Sequence, residues 1–172
     1  RVWRGGGLPA IHLLRQVCET APDFETAVAR LSDPAVRVSI PAFFIIAGSR
    51  AGEACVIERL ETEARIHHGA EGAVTNDWLS RDLTGRPRGQ GADPRSVTRD
   101  CALRRDAVLA ARDAPWGFDW VGPPIRNPAT RVAALANPAT GDFWVQGFEP
   151  AADRKAAAEA ATQPWRSATG DG

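Results

Sequence analysis

Two short apolar runs decide the fold class, and both lie in the stretch PAFFIIAGSRAGEACVIERL, residues 41–60. Ala42 to Ala47 and Ala54 to Leu60 are rich in valine, isoleucine and phenylalanine. Runs of such residues, separated by turn residues like those from Gly48 to Gly52, are typical of β-strands. A connection this short joins antiparallel neighbours. The stretch therefore predicts an antiparallel pair of strands.

Three neighbouring segments extend the predicted sheet. Val36 to Ile40 precedes the pair, and Pro41 separates it from the next strand. Ala64 to His68 alternates weakly between apolar and polar residues, and Ala73 to Asn76 follows a turn at Gly69 to Gly72. Alternation with a period of two is typical of a half-buried strand. We expect a meander of antiparallel strands in this part of the chain.

Two amphipathic helices are predicted before the sheet. From Leu8 to Cys18 apolar residues recur at helical spacing, and Thr20 to Pro22 ends the pattern. Asp23 is typical of a helix N-cap, and apolar residues follow it on one face from Phe24 to Leu31. A helix with one apolar face buries that face against another layer. We expect both helices to cover the sheet.

The second half of the chain is predicted to contain one helix and one hairpin. Ser80 to Val97 has few apolar residues and is predicted to be an exposed loop. Helical spacing returns from Asp100 to Ala111, with Leu103 on the expected buried side. Thr130 to Ala136 and Asp142 to Phe148 are predicted strands, because asparagine, proline and glycine in the connection favour a turn.

The order of these elements predicts an α+β fold, because helices precede a block of antiparallel strands and do not alternate with them. Residues 1–150 are predicted to form one domain, since two independent domains would be cramped in this length. The alanine-rich residues 151–172 are predicted to be a tail, with a helix from Ala151 to Ala161 and a frayed end.

Composition argues against several classes of function. The 21 basic and 21 acidic residues give a formal net charge of zero, and the basic residues form no stripe of the kind that binds nucleic acid. No apolar run approaches the roughly 20 residues that cross a bilayer, so we expect a soluble protein. The three cysteines lack metal-ligand spacing, and no metal or cofactor is predicted.

Lys155 is the sole lysine. This bias towards arginine indicates a bacterial genome rich in GC, and the cytoplasm is favoured while export stays open.

The common hydrolase, metalloprotease and nucleotide-binding motifs are absent from the sequence. His67 and His68 end a predicted strand and point to opposite faces, so surface or hydrogen-bonded roles are expected. Cys18 and Cys55 are expected to be small buried apolar residues. Cys101, at the predicted start of a helix, is a weak nucleophile candidate, because a helix N-terminus favours a thiolate.

Two places carry residue types that a catalytic site could use. Asn76 ends a predicted strand, where an amide can donate a hydrogen bond to a developing oxyanion, although an asparagine there is more often a turn residue. Asp100 and Arg104 lie four positions apart, the spacing of an ion pair within a helix, and Arg105 lies beside them. Alone, these charged residues would indicate a solvated helix face.

Taken in order, several segments resemble the C-terminal half of the linear amide C-N hydrolases. This family includes acid ceramidase, N-acylethanolamine acid amidase and bacterial relatives of choloylglycine hydrolase. The segments that carry the resemblance are GLPAIHLLRQVCETAPDFETAVARLSD (7–33), PAFFIIAGSRAGEACVIER (41–59), TNDW (75–78), RDCALRRDAV (99–108) and TRVAALANPATGDFWVQGF (130–148). Their order and spacing are more specific than any single segment.

The resemblance implies a partial αββα sandwich of the N-terminal-nucleophile hydrolases, an antiparallel sheet with covering helices. It implies a cysteine nucleophile, exposed by self-cleavage, on a segment or subunit upstream of Arg1. Asn76 is implied to stabilise the oxyanion, and Arg104, or Arg105 if the register slips, to orient the site. The implied substrate is a small N-acyl amide. Residues 1–172 alone are expected to be inactive.

The sequence departs from the family pattern at two places. Asp77 follows the asparagine where eukaryotic members have an aromatic residue, and DCALRR replaces two consecutive acids before paired arginines. The substrate and the identity of the site arginine therefore stay open. Two other functions also stay open: a non-catalytic ligand-binding or interaction module, and an acyltransferase in which an amine captures the same acyl-enzyme.

Overall fold

A computed structural model describes residues 6–69, 72–80, 82–83 and 94–167, with the backbone alone for 94–98. Within these ranges the protein has three helices and two antiparallel sheets, which confirms the predicted α+β class. The described residues separate into two compact units, divided between Cys101 and Ala102. The assignment of residues 1–150 to one amide-hydrolase domain stays a prediction.

The first unit begins with the two predicted helices, α1 (Ala10–Thr20) and α2 (Phe24–Ser32). Pro9 directly precedes α1, and Asp23 caps α2, since its Oδ1 accepts a hydrogen bond from the Thr26 amide at 2.7 Å. This side-chain cap satisfies one of the amides that a helix start leaves without an intrahelical partner. Both helix predictions are confirmed.

A three-stranded antiparallel sheet follows, in the order β1 (Ala42–Ala47), β2 (Ala54–Arg59) and β3 (Ala64–His68). In the register of the sheet, Ile57 lies opposite Phe44 and Ile66. Gly52 in the β1–β2 connection has a φ of 86°, a left-handed conformation that glycine adopts without steric cost. All three strands match the prediction.

The two faces of this sheet have different coverings. One face packs against α1 and α2 in the main apolar core, whose buried members are Ala10, Leu13, Val17, Val28, Leu31, Val38, Phe44, Cys55 and Ile57. Side chains alternate along a strand, so the neighbours of Ile57 and Phe44 point the other way. That second face carries Phe43, Val56, Glu58, Arg65 and His67.

The predicted strand from Val36 to Ile40 is wrong, because this segment makes only one bridge, a parallel pairing of Val38 with Leu8. A buried arginine, Arg59, instead donates a hydrogen bond to the carbonyl oxygen of Val36, at the start of this segment. The fully buried Arg59 side chain donates to the carbonyl oxygens of Asp33, Val36 and Glu63. The segment therefore closes the end of the sheet without joining it.

The predicted strand from Ala73 to Asn76 is also wrong, because residues 72–80 have irregular backbone. Their polar groups bond to side chains and to a helix carbonyl, as described below, and they pair with no described strand. The third helix, α3 (Pro94–Ala110), starts six residues before the predicted start. The expected loop from Ser80 to Val97 thus ends earlier than predicted, and residues 84–93 lie outside the described part of the chain.

The burial predicted for α3 is wrong at Leu103, which is 52% exposed. Among the described residues, no helix combines the length and the apolar character needed to cross a bilayer.

The second unit contains the predicted hairpin, β4 (Val132–Asn137) and β5 (Asp142–Glu149). Its turn follows the expected chemistry: Gly141 has a φ of 74° and its amide donates to the Asn137 carbonyl at 2.9 Å. The hairpin prediction is confirmed.

The helix predicted from Ala151 to Ala161 is wrong. The tail instead forms two short strands, β6 (Glu159–Ala160) and β7 (Trp165–Arg166), and both pair with β5. Helix propensity is a weak preference that tertiary contacts override, and Ala158 is fully buried here. The end is predicted to fray after Ala161, but β7 forms within it, and residues 168–172 lie outside the described residues.

Candidate functional site around Asn76

The predicted oxyanion residue, Asn76, lies on a segment that covers the second face of the first sheet. We call residues 72–80, 82 and 83 the Asn76 segment. Three of its side chains are buried, Ala73, Trp78 and Leu83, whereas Asn76 itself is exposed. The segment thus presents one amide side chain outwards from a backbone that is packed against the protein.

Two contacts hold the part of the segment next to Asn76. The Thr75 hydroxyl donates a hydrogen bond to the carbonyl oxygen of Cys101 at 3.0 Å. The ring of Trp78 meets the ring of Phe43 on β1 edge to face, with centroids 5.1 Å apart and an interplanar angle of 76°. Aromatic pairs favour this geometry. Asn76 therefore lies between Thr75, whose side chain contacts α3, and Trp78, whose side chain contacts β1.

The strongest anchor is Glu58 on β2, whose side chain is fully buried. Its carboxylate accepts hydrogen bonds from the Leu79 amide, from the Ser80 amide at 3.1 Å and from the Ser80 hydroxyl. His67 on β3 completes the group, with its Nε2 atom 2.8 Å from Glu58 Oε2. We call Glu58, His67 and Ser80 the Glu58 cluster. A buried carboxylate needs such donors because burial removes its hydration.

A second charged contact holds the end of the segment. Arg65, which lies opposite Glu58 in the sheet register, forms an ion pair with Asp82. The hydrogen bond that Arg65 donates to Asp82 is the main cause that raises the pKa of Arg65, and Glu58 and Glu63 add smaller attractions. Both side chains are partly exposed, so solvent screens this pair and it contributes less than the Glu58 contacts.

The protonation of Glu58 follows from these contacts. Burial raises the pKa of this carboxyl, but hydrogen bonds from Ser80, His67 and Leu79 together outweigh burial. The net pKa lies below its ordinary value of 4.5, so the group is a carboxylate at neutral pH. A carboxylate in this state is a strong acceptor and a weak base.

The Glu58 cluster contains the three residue types of a serine hydrolase but lacks its geometry. In a Ser-His-acid triad the acid bonds one ring nitrogen and the serine bonds the other. Here Glu58 Oε2 and Ser80 Oγ both approach the same atom, His67 Nε2, at 2.8 and 3.4 Å. The Ser80 hydroxyl also donates directly to Glu58. The cluster is built to hold a loop, and its geometry does not activate a nucleophile.

The other predicted site residues, Arg104 and Arg105, lie on the part of α3 that belongs to the second unit. Both side chains are half-buried. Arg105 Nε lies 3.8 Å from Asp106 Oδ1, at the outer limit of an ion pair. A half-buried guanidinium on a helix can bind a polar group, and each of the two arginines stays a candidate for the orienting role.

The cysteine and histidine predictions have mixed outcomes. Cys18 is exposed, so its predicted burial is wrong, whereas Cys55 is buried as predicted and its pKa is raised by burial. Cys101 is buried and lies seven residues after the first residue of α3, so the argument from a helix start fails for it. His67 has the predicted hydrogen-bonded role, and His68 points to the opposite face of the sheet.

Sequence reasoning missed Glu58 and Ser80. A signal was present for Glu58, because an acid directly after the apolar run Cys55 to Ile57 needs either solvent or partners. Nothing in the spacing of the sequence indicates that Ser80, 22 positions later, supplies those partners.

A cavity of about 580 Å³ lies on the helix side of the first unit, away from the Asn76 segment. Apolar residues of α1, α2 and β1 line most of it. Three charged residues line it: Arg50 and Glu53 approach each other to 3.7 Å, and Asp23 accepts the hydrogen bond that caps α2.

Among the described residues, no group of three or more histidine, cysteine, aspartate or glutamate side chains could hold a metal ion. No family model and no curated protein matches the chain.

Proposed function

We propose that this chain is the C-terminal portion of a cysteine N-terminal-nucleophile hydrolase that cleaves linear amide bonds in N-acyl compounds. The amide class comes from the resemblance of the five quoted segments, and the proposed fold is the αββα sandwich of that family. One structural observation supports the proposal most directly: Asn76 is an exposed amide on a segment that side chains hold on both sides.

That observation bears on catalysis because an oxyanion hole works by preorganisation. A donor that is already in place stabilises the developing negative charge without a reorganisation cost at the moment of reaction. Thr75 is bonded one residue before Asn76, and Leu79 is bonded three residues after it. These two contacts limit the movement of the backbone that carries the Asn76 amide, which supports the proposed role.

In the proposed reaction the nucleophile is a cysteine upstream of Arg1, whose own α-amine accepts the thiol proton. The thiolate attacks the amide carbonyl, and Asn76 donates a hydrogen bond to the resulting oxyanion. Arg104 or Arg105 orients the acyl group. The amine leaves with the proton, and water then hydrolyses the thioester to the free acid. Capture of the same thioester by an amine would make the product of an acyltransferase.

The experiment compares the protein carrying its upstream segment with residues 1–172 alone, on a panel of N-acyl amides. We expect turnover only with the upstream segment. Asn76→Asp keeps the shape of the side chain but removes its N–H donor, and should lower kcat by about 10²–10³-fold. Arg104→Ala and Arg105→Ala, made separately, identify the orienting arginine by the larger loss.

Three results would contradict the proposal. They are turnover by residues 1–172 alone, unchanged kcat in Asn76→Asp, and no amide cleavage by the protein with its upstream segment. The last result, together with retained binding of N-acyl compounds, would favour a non-catalytic binding module. Thermal unfolding of each variant serves as the control, because a loss of kcat counts only where the midpoint stays near that of the wild type.

A further inference from the structure

We propose that the Glu58 cluster positions Asn76, so that Glu58 acts on amide hydrolysis through the backbone of the Asn76 segment. This inference rests on the proposed function, since it assigns Glu58 a role in the site of Asn76. Glu58 is a positioning residue and not a catalytic one, because its side chain is fully buried and offers no surface to a substrate.

The first support is the number of bonds that converge on one carboxylate. Oε1 accepts from the Leu79 amide, and Oε2 accepts from the Ser80 amide and hydroxyl and lies 2.8 Å from His67 Nε2. Hydrogen bonds to a charged acceptor are stronger than those between neutral groups. The carboxylate therefore fixes two consecutive peptide groups of the segment.

The second support is the short distance along the chain from this anchor to the asparagine. A residue spans at most about 3.3–3.6 Å of extended chain, so Asn76 lies within about 11 Å of Leu79 and a shift of the Leu79 backbone reaches it through only two intervening residues. Thr75, bonded to the Cys101 carbonyl at 3.0 Å, limits that range from the other side. Loss of the Glu58 anchor removes the hydrogen bonds that fix the backbone at Leu79 and Ser80, and leaves the ring contact of Trp78 and the solvent-screened pair of Asp82 on that side of Asn76.

The third support is that two members of the cluster, Glu58 and His67, are held in place by the strand pairing of the sheet. Glu58 and His67 lie on neighbouring strands and point to the same face, the one that the Asn76 segment covers. Arg65 on that face pairs with Asp82, two residues after Ser80. The sheet therefore holds the segment at successive positions, and Asn76 is the exposed residue next to them.

The main test uses the protein with its upstream segment and a double-mutant cycle. Glu58→Gln preserves the shape of the side chain, but its NH2 group cannot accept the bonds that one carboxylate oxygen now accepts. A misplacement of about 1 Å can cost about 10²-fold in rate, so we expect kcat to fall by about 10- to 100-fold with KM little changed. In the Asn76→Ala background, Glu58→Gln should lower kcat no further.

The same fold-change in both backgrounds, or a change in KM alone, would overturn the inference. Glu61→Gln is the matched control, since Glu61 is exposed and pairs with Arg37 on the surface, and it should leave both constants unchanged. If Glu58→Gln fails to fold, Ser80→Ala replaces it in the same double-mutant cycle. This change removes only the hydroxyl donor, so we expect a smaller fall in kcat.

A second readout separates this inference from the proposed function. In residues 1–172, Glu58→Gln should speed hydrogen exchange of the Leu79 and Ser80 amides at least 10-fold, and should shift the NMR signals of the Asn76 side-chain amide. Faster exchange in a protein that cleaves no amide would contradict the proposed function and would still support the positioning of Asn76 by Glu58. Unchanged exchange and unchanged Asn76 signals would overturn the positioning role, whatever the enzyme cleaves.

Discussion

Replacement of Glu58 by alanine should destabilise the first unit far more than the same change at an exposed glutamate. The fully buried carboxylate accepts bonds from the amides of Leu79 and Ser80, and Glu58→Ala removes their acceptor. Each hydrogen bond to a charged group contributes about 1.5–3 kcal/mol, so the two amides account for about 3–6 kcal/mol. The burial cost of the charge disappears with the side chain and offsets part of this loss. We expect a net loss of about 3 kcal/mol.

The assay is urea unfolding at neutral pH, followed by far-UV circular dichroism. With a slope of about 2 kcal/mol per molar urea, the midpoint of Glu58→Ala should fall by about 1.5 M while the slope stays constant. Glu61→Ala is the control: its surface pair with Arg37 is about half exposed on both sides, and such pairs contribute about 0–1 kcal/mol. Equal midpoints for the two variants would refute the reasoning that the buried carboxylate holds the segment.

The remaining predictions concern stability. Arg59→Met removes the donors to three backbone carbonyls and should cost at least about 3 kcal/mol, because each group left without a partner costs about 1–3 kcal/mol; a thermal midpoint equal to that of the wild type would contradict this. Leu31→Ala, at a fully buried position, should cost about 2–5 kcal/mol, whereas Ile11→Ala, at a residue 67% exposed, should change stability by less than about 0.5 kcal/mol; similar losses for the two would be inconsistent with the described core. Because the folded-state pKa of Glu58 is lowered, its contribution is present above its ordinary pKa of 4.5 and is lost as pH falls through the folded value. Unfolding midpoints measured from about pH 6 to pH 3 should therefore fall more steeply for the wild type than for Glu58→Gln, and parallel curves would count against the assigned charge state.

The elements that the sequence predicts correctly are those in which local pattern and tertiary packing agree. The α2 helix has both its cap, Asp23, and its apolar face, and the β4–β5 hairpin has turn residues such as Gly141 in the conformation that the turn requires. In both cases each signal depends on residues within a short window, so the sequence is sufficient to predict them.

The failures share a cause, because in each a contact distant in sequence decides the local backbone. Arg59 donates a hydrogen bond to the carbonyl of Val36, the first residue of the segment predicted to be a strand. The alanine-rich tail pairs with β5, since edge pairing there buries Ala158. No local propensity encodes these partners, and propensity yields where burial or hydrogen bonding contributes more.

The candidate site shows the same division between local and distant information. Asn76 is named by the TNDW motif, but the residues that hold its segment, Glu58 and His67, come from two strands whose register the sequence does not specify. Their convergence depends on the pleat and register of the sheet. The sequence therefore names a candidate residue, Asn76, and does not specify the contacts that hold its segment.

The most direct test of the central claim, that Asn76 stabilises an oxyanion, compares two ligands of the protein carrying its upstream segment. One is an N-acyl amide substrate, and the other is the aldehyde of the same acyl chain, which forms a tetrahedral adduct with a cysteine. Asn76→Ala should weaken inhibition by the aldehyde by about 10²-fold and leave KM for the amide nearly unchanged, because the donor acts on the tetrahedral oxygen. Equal weakening of both ligands, or of neither, would contradict the claim.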